Sequence, residues 1–194
     1  MPDRQEITHL FSSPEEARDA VLKGFDFLFR GLPDKDSRVK LVESFFDDAS
    51  LHGAIRSDDD DIVEALLEMH PESIDIFDSK RETLLMLASS KNKADLVEKL
   101  LTKFNANSNI QNLQGKNALM LAIRNKASFE VIALLAKSTD INAQDKGGRN
   151  ALMLALERKA STEVIKLLAK STDINAQDKL GMDALRWALE NKAS

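Results

Sequence analysis

An Ala that closes a Leu-x-x-Ala run stands at Ala54 and returns at Ala88, Ala122, Ala155 and Ala188, in steps of 34, 34, 33 and 33 residues. No other feature of the 194-residue chain restricts its fold so strongly. Self-similarity at a fixed period marks an array in which each unit is too small to bury its own apolar face and is completed by its neighbours. An array grows by stacking and needs no single central core, so one continuous solenoid is expected rather than two globular domains.

Aligned on that Ala, the units read Ala49-Ser-Leu-His-Gly-Ala54, Thr83-Leu-Leu-Met-Leu-Ala88, Asn117-Ala-Leu-Met-Leu-Ala122, Asn150-Ala-Leu-Met-Leu-Ala155 and Asp183-Ala-Leu-Arg-Trp-Ala188. Four of the five open with Thr, Asn or Asp, side chains that accept from the unpaired N–H groups of a helix's first turn, so an inner helix starts at each. Twelve and thirteen residues after each of the first four Ala positions comes a Leu pair, Leu66-Leu67, Leu100-Leu101, Leu134-Leu135 and Leu167-Leu168, which marks the core face of a second, outer helix. Ahead of the caps lie Asn112-Leu-Gln-Gly115, Asp145-Lys-Gly-Gly148 and Asp178-Lys-Leu-Gly181, where Gly supplies the positive φ of a tight turn. In the second unit Arg81 replaces that Gly, which predicts a reshaped tip; the first unit has no recognisable tip.

Each unit resembles the ankyrin Thr-Pro-Leu-His-x-Ala signature, and the resemblance covers residues 45–194, about four and a half repeats. It implies an all-α solenoid of helix-turn-helix repeats with hairpin tips. Asn142 and Asn175, in two near-identical Asp-Ile-Asn-Ala-Gln-Asp segments, match the usual inter-repeat connection. The signature Pro is absent, and its His survives only as His52, with Met86, Met120, Met153 and Arg186 in the other repeats. Met fills space but cannot make the hydrogen bond His provides, so the tips should be less firmly braced. The Met column is expected in the core.

Residues 1–44 lack the repeat, yet Ser13-Pro-Glu-Glu16 is a capping box with Pro at the first helical position. A helix from Pro14 towards Arg30 would place Ala17, Val21, Leu22, Phe25, Leu28 and Phe29 on one face, and Val39, Val42, Phe45 and Phe46 suggest a second helix after Asp36. The pair is expected to cap the first repeat, with a separate docking pair as the alternative. At the other end the fifth repeat is half present, which leaves Leu185, Trp187 and Leu189 without their usual cover. A fragment of a longer array, a degenerate cap, and an oligomeric or partner contact at that edge all remain open.

Chemistry is hard to find. The chain has three His with no metal-ligand spacing, no Cys, no Tyr and no glycine-rich nucleotide loop, so no catalytic residue, metal or cofactor is expected. Asp58-Asp-Asp-Asp61 lacks the spaced ligands and Gly of a calcium loop and is better placed at a helix N-terminus, where carboxylates complement the dipole. No apolar run reaches the roughly 20 residues of a membrane span, which with the missing cysteines is compatible with a cytoplasmic protein. A net charge of −5 and basic residues without interleaved aromatics argue against nucleic acid.

The resemblance also implies where a partner binds: the tips, and the positions about one turn past the signature Ala. These carry Lys80, Arg81, Glu82 and Lys91; Gln114, Lys116, Arg124 and Asn125; Lys146, Arg149, Glu157 and Arg158; and Lys179, Leu180, Met182 and Glu190. Nine are basic and three acidic in a net-negative chain, so a positive concave face for a protein with an acidic surface is expected. An inhibitor or immunity-type protein occluding one enzyme, and the targeting arm of a larger enzyme, are the alternatives. The Lys and Asn content and the Ala-Leu-Met-Leu-Ala variant look similar to bacterial ankyrin proteins, including secreted effectors that act in host cytosol.

Overall fold

The computed structural model describes residues 48–56 and 60–192. The expected helices of residues 1–44, and all but the last two residues of the acidic run, lie outside the described residues. Among those described there are nine α-helices, one short 3-10 turn and no strand. The chain divides into two compact units, one ending at Asp78 and one beginning at Ser79.

In the first unit, α1 (Asp48–Arg56) and α2 (Asp60–Met69) are followed by a 3-10 turn at Pro71–Ser73. Leu51, Ile55, Ile62, Val63, Leu66 and Leu67 are fully buried, among them the Leu66-Leu67 pair expected on the core face of the outer helix. Asp60 and Asp61 occupy the first turn of α2, where their charge complements the N-terminal dipole. Arg56 closes onto Asp78 at 2.8 Å.

The second unit alternates short inner helices, α3 (Leu84–Ser90), α5 (Ala118–Arg124), α7 (Ala151–Glu157) and α9 (Ala184–Lys192), with outer helices α4 (Ala94–Thr102), α6 (Phe129–Ser138) and α8 (Thr162–Ala169). Each inner helix starts where a side-chain oxygen meets an orphan N–H: Thr83 accepts from Met86, Asn117 from Met120, Asn150 from Met153 and Asp183 from Arg186, at 2.8–3.3 Å. Ser128 and Ser161 cap α6 and α8 in the same way.

The inner helices also stop alike. Asn92, Lys126 and Lys159 take φ of 60°, 57° and 54°, and the next residue's N–H returns to the carbonyl of Ala88, Ala122 or Ala155 at 2.9–3.1 Å. This is the Schellman pattern, with Asn or Lys where Gly is usual. The signature Ala thus has two functions: its small, fully buried methyl permits close packing, and its carbonyl ends the helix.

Met86, Met120 and Met153 are buried to 1% exposure or less, beside Leu85, Leu119 and Leu152, as expected of a core column. Of the later Leu pairs, Leu100, Leu135 and Leu168 are buried while Leu101, Leu134 and Leu167 are half-buried.

Candidate binding surface

The tips are built by one residue each. The Oδ1 atoms of Asn112, Asp145 and Asp178 accept from the N–H two residues on (Gln114, Gly147, Leu180) and four residues on (Lys116, Arg149, Met182), at 2.8–3.0 Å. Their own N–H groups donate to the carbonyls of Lys116, Arg149 and Met182. An Asx side chain can satisfy this many neighbouring donors because it is short and holds its oxygen close to the backbone, three bonds from Cα.

Successive tips are tied by backbone bonds. Lys146 N–H donates to Gln114 O at 3.0 Å, Lys179 N–H to Gly147 O at 2.9 Å, and Leu113 N–H to Lys80 O at 3.4 Å. Gln111 and Gln144 add side-chain bonds to the carbonyls of Gln144 and Gln177. Asn109 and Asn142 accept from the N–H groups of Asp140 and Asp173. With His absent, these rungs brace the array.

The long rung falls at Arg81. It adopts φ +59°, the left-handed conformation that Gly115, Gly148 and Gly181 take at φ +72° to +81°. The second tip therefore keeps its backbone shape, a correction to the expectation of a reshaped one. A Cβ at Gly115 would stand 2.7 Å from Lys146 N, so the Cβ of Arg81 in the matching place accounts for a stretched bond to Leu113. Arg81→Gly is expected to stabilise the protein by about 1 kcal/mol, since the left-handed strain of a side chain outweighs the added chain entropy. A melting temperature that falls instead would contradict this account.

The nine basic candidates do not form one cluster. Lys80, Arg81, Lys146 and Lys179 are exposed at the tip end, whereas Lys91, Arg124 and Arg158 are exposed at the opposite end of the inner helices. Seven-residue helices put about 10 Å between the two groups. Lys116 and Arg149 are engaged within the protein. The side chain of Lys116 is 9% exposed and lies 3.5 Å from Asp145 Oδ2. Arg149 donates to Asp145 Oδ2 and to Glu157 Oε2, both at 2.9 Å, and so runs along α7 from one end to the other.

The Asp145 side chain at the centre of this cluster is 1% exposed. Burial works against its ionisation, but the Arg149 hydrogen bonds and charge prevail and hold its carboxyl below the usual carboxylate range. Burial likewise opposes the charge on Arg149, and Asp145 and Glu157 raise its pKa further above the ordinary value. The cluster brings Lys116, Arg149 and Arg158 together with Asp145 and Glu157, so much of its positive charge is neutralised internally. Counting exposed positions in the sequence missed this, because Asp145 was read there as a turn residue only.

At the fifth repeat Arg186, in the Met position, donates to Gly181 O, and Trp187 Nε1 donates to Asp178 Oδ2 at 3.2 Å. Trp187 is thereby half-buried, whereas Leu180, Leu185 and Leu189 are exposed. Among the described residues no group of His, Asp or Glu is arranged to hold a metal, and no helix is long and apolar enough to cross a membrane.

A family model described as ankyrin repeats, three copies, matches residues 51–145 and 128–194. The chain belongs to the ankyrin repeat family. The match takes in most of α1 and all of α2 of the first unit as well as the capped helix pairs and Asx tips of the second. Ankyrin repeats are generally protein-interaction modules rather than catalysts. No curated protein matches it.

Proposed function

We propose that this ankyrin protein is a non-catalytic interaction module of the cytosol, and that it engages a protein with an acidic surface along its tip row and inner-helix face. The observation that carries this reading is the backbone ladder joining Gln114 to Lys146 and Gly147 to Lys179, which presents two exposed lysines on a rung-tied edge. A surface ordered in advance loses little conformational entropy on binding, and its lysines steer an acidic partner during encounter. The absence of cysteine makes the fold independent of disulfides, which suits a reducing compartment.

Arg149 is a poor probe of this surface, because its removal would disturb the Asp145 cluster. Arg124, Lys146 and Lys179 are exposed and better suited. The triple change Arg124→Glu, Lys146→Glu and Lys179→Glu should leave the melting curve within about 1 kcal/mol of wild type. It should also reduce crosslinked partner recovery from lysate, identified by mass spectrometry, at least tenfold. Undiminished recovery of the same partner would remove the tip row from recognition.

A further inference from the structure

The turn between an inner and an outer helix is sealed against the following repeat in one place and open in the next. After α3, Asn92 Oδ1 accepts from Ser128 N–H at 2.7 Å, joining two consecutive repeats. One repeat later the equivalent residue is Lys126, with the same left-handed backbone. Its ammonium group has no acceptor to offer. The corresponding Ser161 N–H has no acceptor among the described residues.

A groove of about 210 Å³ opens at this place, with Ser161 in its lining. Ile123, Ile132 and Val164 underlie it, Phe129 flanks it with 48% of its surface exposed, and Lys126 and Arg158 stand at its rim. Arg158 also lies 3.7 Å from Glu157 Oε1, a contact that leaves its side chain 40% exposed. The groove is smaller than the roughly 300–1,000 Å³ typical of small-molecule pockets. Its size suits one side chain, and its rim suits negative charge.

We propose that this groove is a second recognition site, distinct from the tip row, that binds an acidic peptide segment carrying one apolar side chain. The apolar side chain packs against Phe129 over Ile132 and Val164. A neighbouring carboxylate accepts from Ser161 N–H and pairs with Lys126 and Arg158, a charge-assisted arrangement stronger than a neutral hydrogen bond. The site exists because Lys stands where Asn92 closes the previous junction.

The test is fluorescence anisotropy of the full chain with a labelled ten-residue peptide, one Leu flanked by Glu and Asp. Lys126→Asn should restore the Asn92-type closure and weaken binding at least tenfold, with no loss of thermal stability, because Asn tolerates the left-handed conformation well. Replacing the peptide's acids by amides, or its Leu by Ala, should weaken binding by a similar factor. The double change Lys146→Glu and Lys179→Glu should leave it within twofold. Binding that survives Lys126→Asn, or that the tip changes abolish, would overturn the proposal and place acid recognition at the tips. No measurable binding would overturn it as well, leaving the tip row to its own partner-recovery test.

Discussion

Asp145→Ala is expected to destabilise the protein by about 3–5 kcal/mol, the range for removing one partner from a buried ion pair. The substitution removes the acceptor for Gly147 N–H and Arg149 N–H and leaves Lys116, with its side chain 9% exposed, facing no counter-charge at that position. Arg149 keeps its ion pair with Glu157 and the more distant charge of Asp178. Asp145→Asn separates the two contributions. Asn112 shows that an amide oxygen builds the same turn, so the backbone bonds survive while the ion pairs do not. A loss of about 2 kcal/mol is expected for Asn, in the range of charge-assisted hydrogen bonds. Equal losses for Ala and Asn in urea titrations would show that the turn bonds contribute nothing.

The same carboxyl gives a pH dependence with a defined direction. Its folded pKa lies below the ordinary value, so as pH falls the unfolded chain takes up the proton first and unfolding becomes progressively favoured. The stability that Asp145 contributes is therefore complete above pH of about 4, the unfolded carboxylate value, and is lost as pH falls through the lower folded value. The stability difference between wild type and Asp145→Asn should be flat from pH 7 to 5 and shrink below about 4. A difference that persists unchanged at pH 2 would mean that the ion pairs are not its source.

The helices were legible because their determinants are local. A capping oxygen at Thr83, Asn117, Asn150 or Asp183 and a run of apolar residues behind it act within one turn, and the period of the signature Ala repeats them in phase. The surface was less legible because charge belongs to pairs formed across repeats. Lys116 and Asp145 lie 29 positions apart, and no local pattern announces that they meet. Arg81 shows the intermediate case. The loss of Gly was visible, but whether the chain would change conformation or endure the strain depended on the neighbouring tip, whose rung is stretched rather than broken. The closure by Asn92 was equally hidden, since Asn in a turn has several uses and its acceptor contact with Ser128 spans 36 residues.

Gly148→Ala and Gly181→Ala should differ by about 2 kcal/mol although the two glycines share a backbone conformation, with φ of +81° and +72°. Strain from the left-handed region costs a side chain roughly 1–2 kcal/mol at either place. At Gly148 an added Cβ would also stand 2.9 Å from Lys179 N and 3.0 Å from Asp178 Cα, backbone atoms of the next tip that cannot rotate away. Overpacking of this kind adds about 1–3 kcal/mol. At Gly181 nothing lies within 4 Å of the same point, so only the strain remains. The consequence should also be local: in Gly148→Ala the Lys179 amide, which donates to Gly147 O at 2.9 Å, should exchange with solvent faster than the amides of α5, whereas Gly181→Ala should leave it protected. Matching losses of stability in the two variants would mean that the tips are not held by contact with one another, and the stiffness assigned to the tip row would go with it.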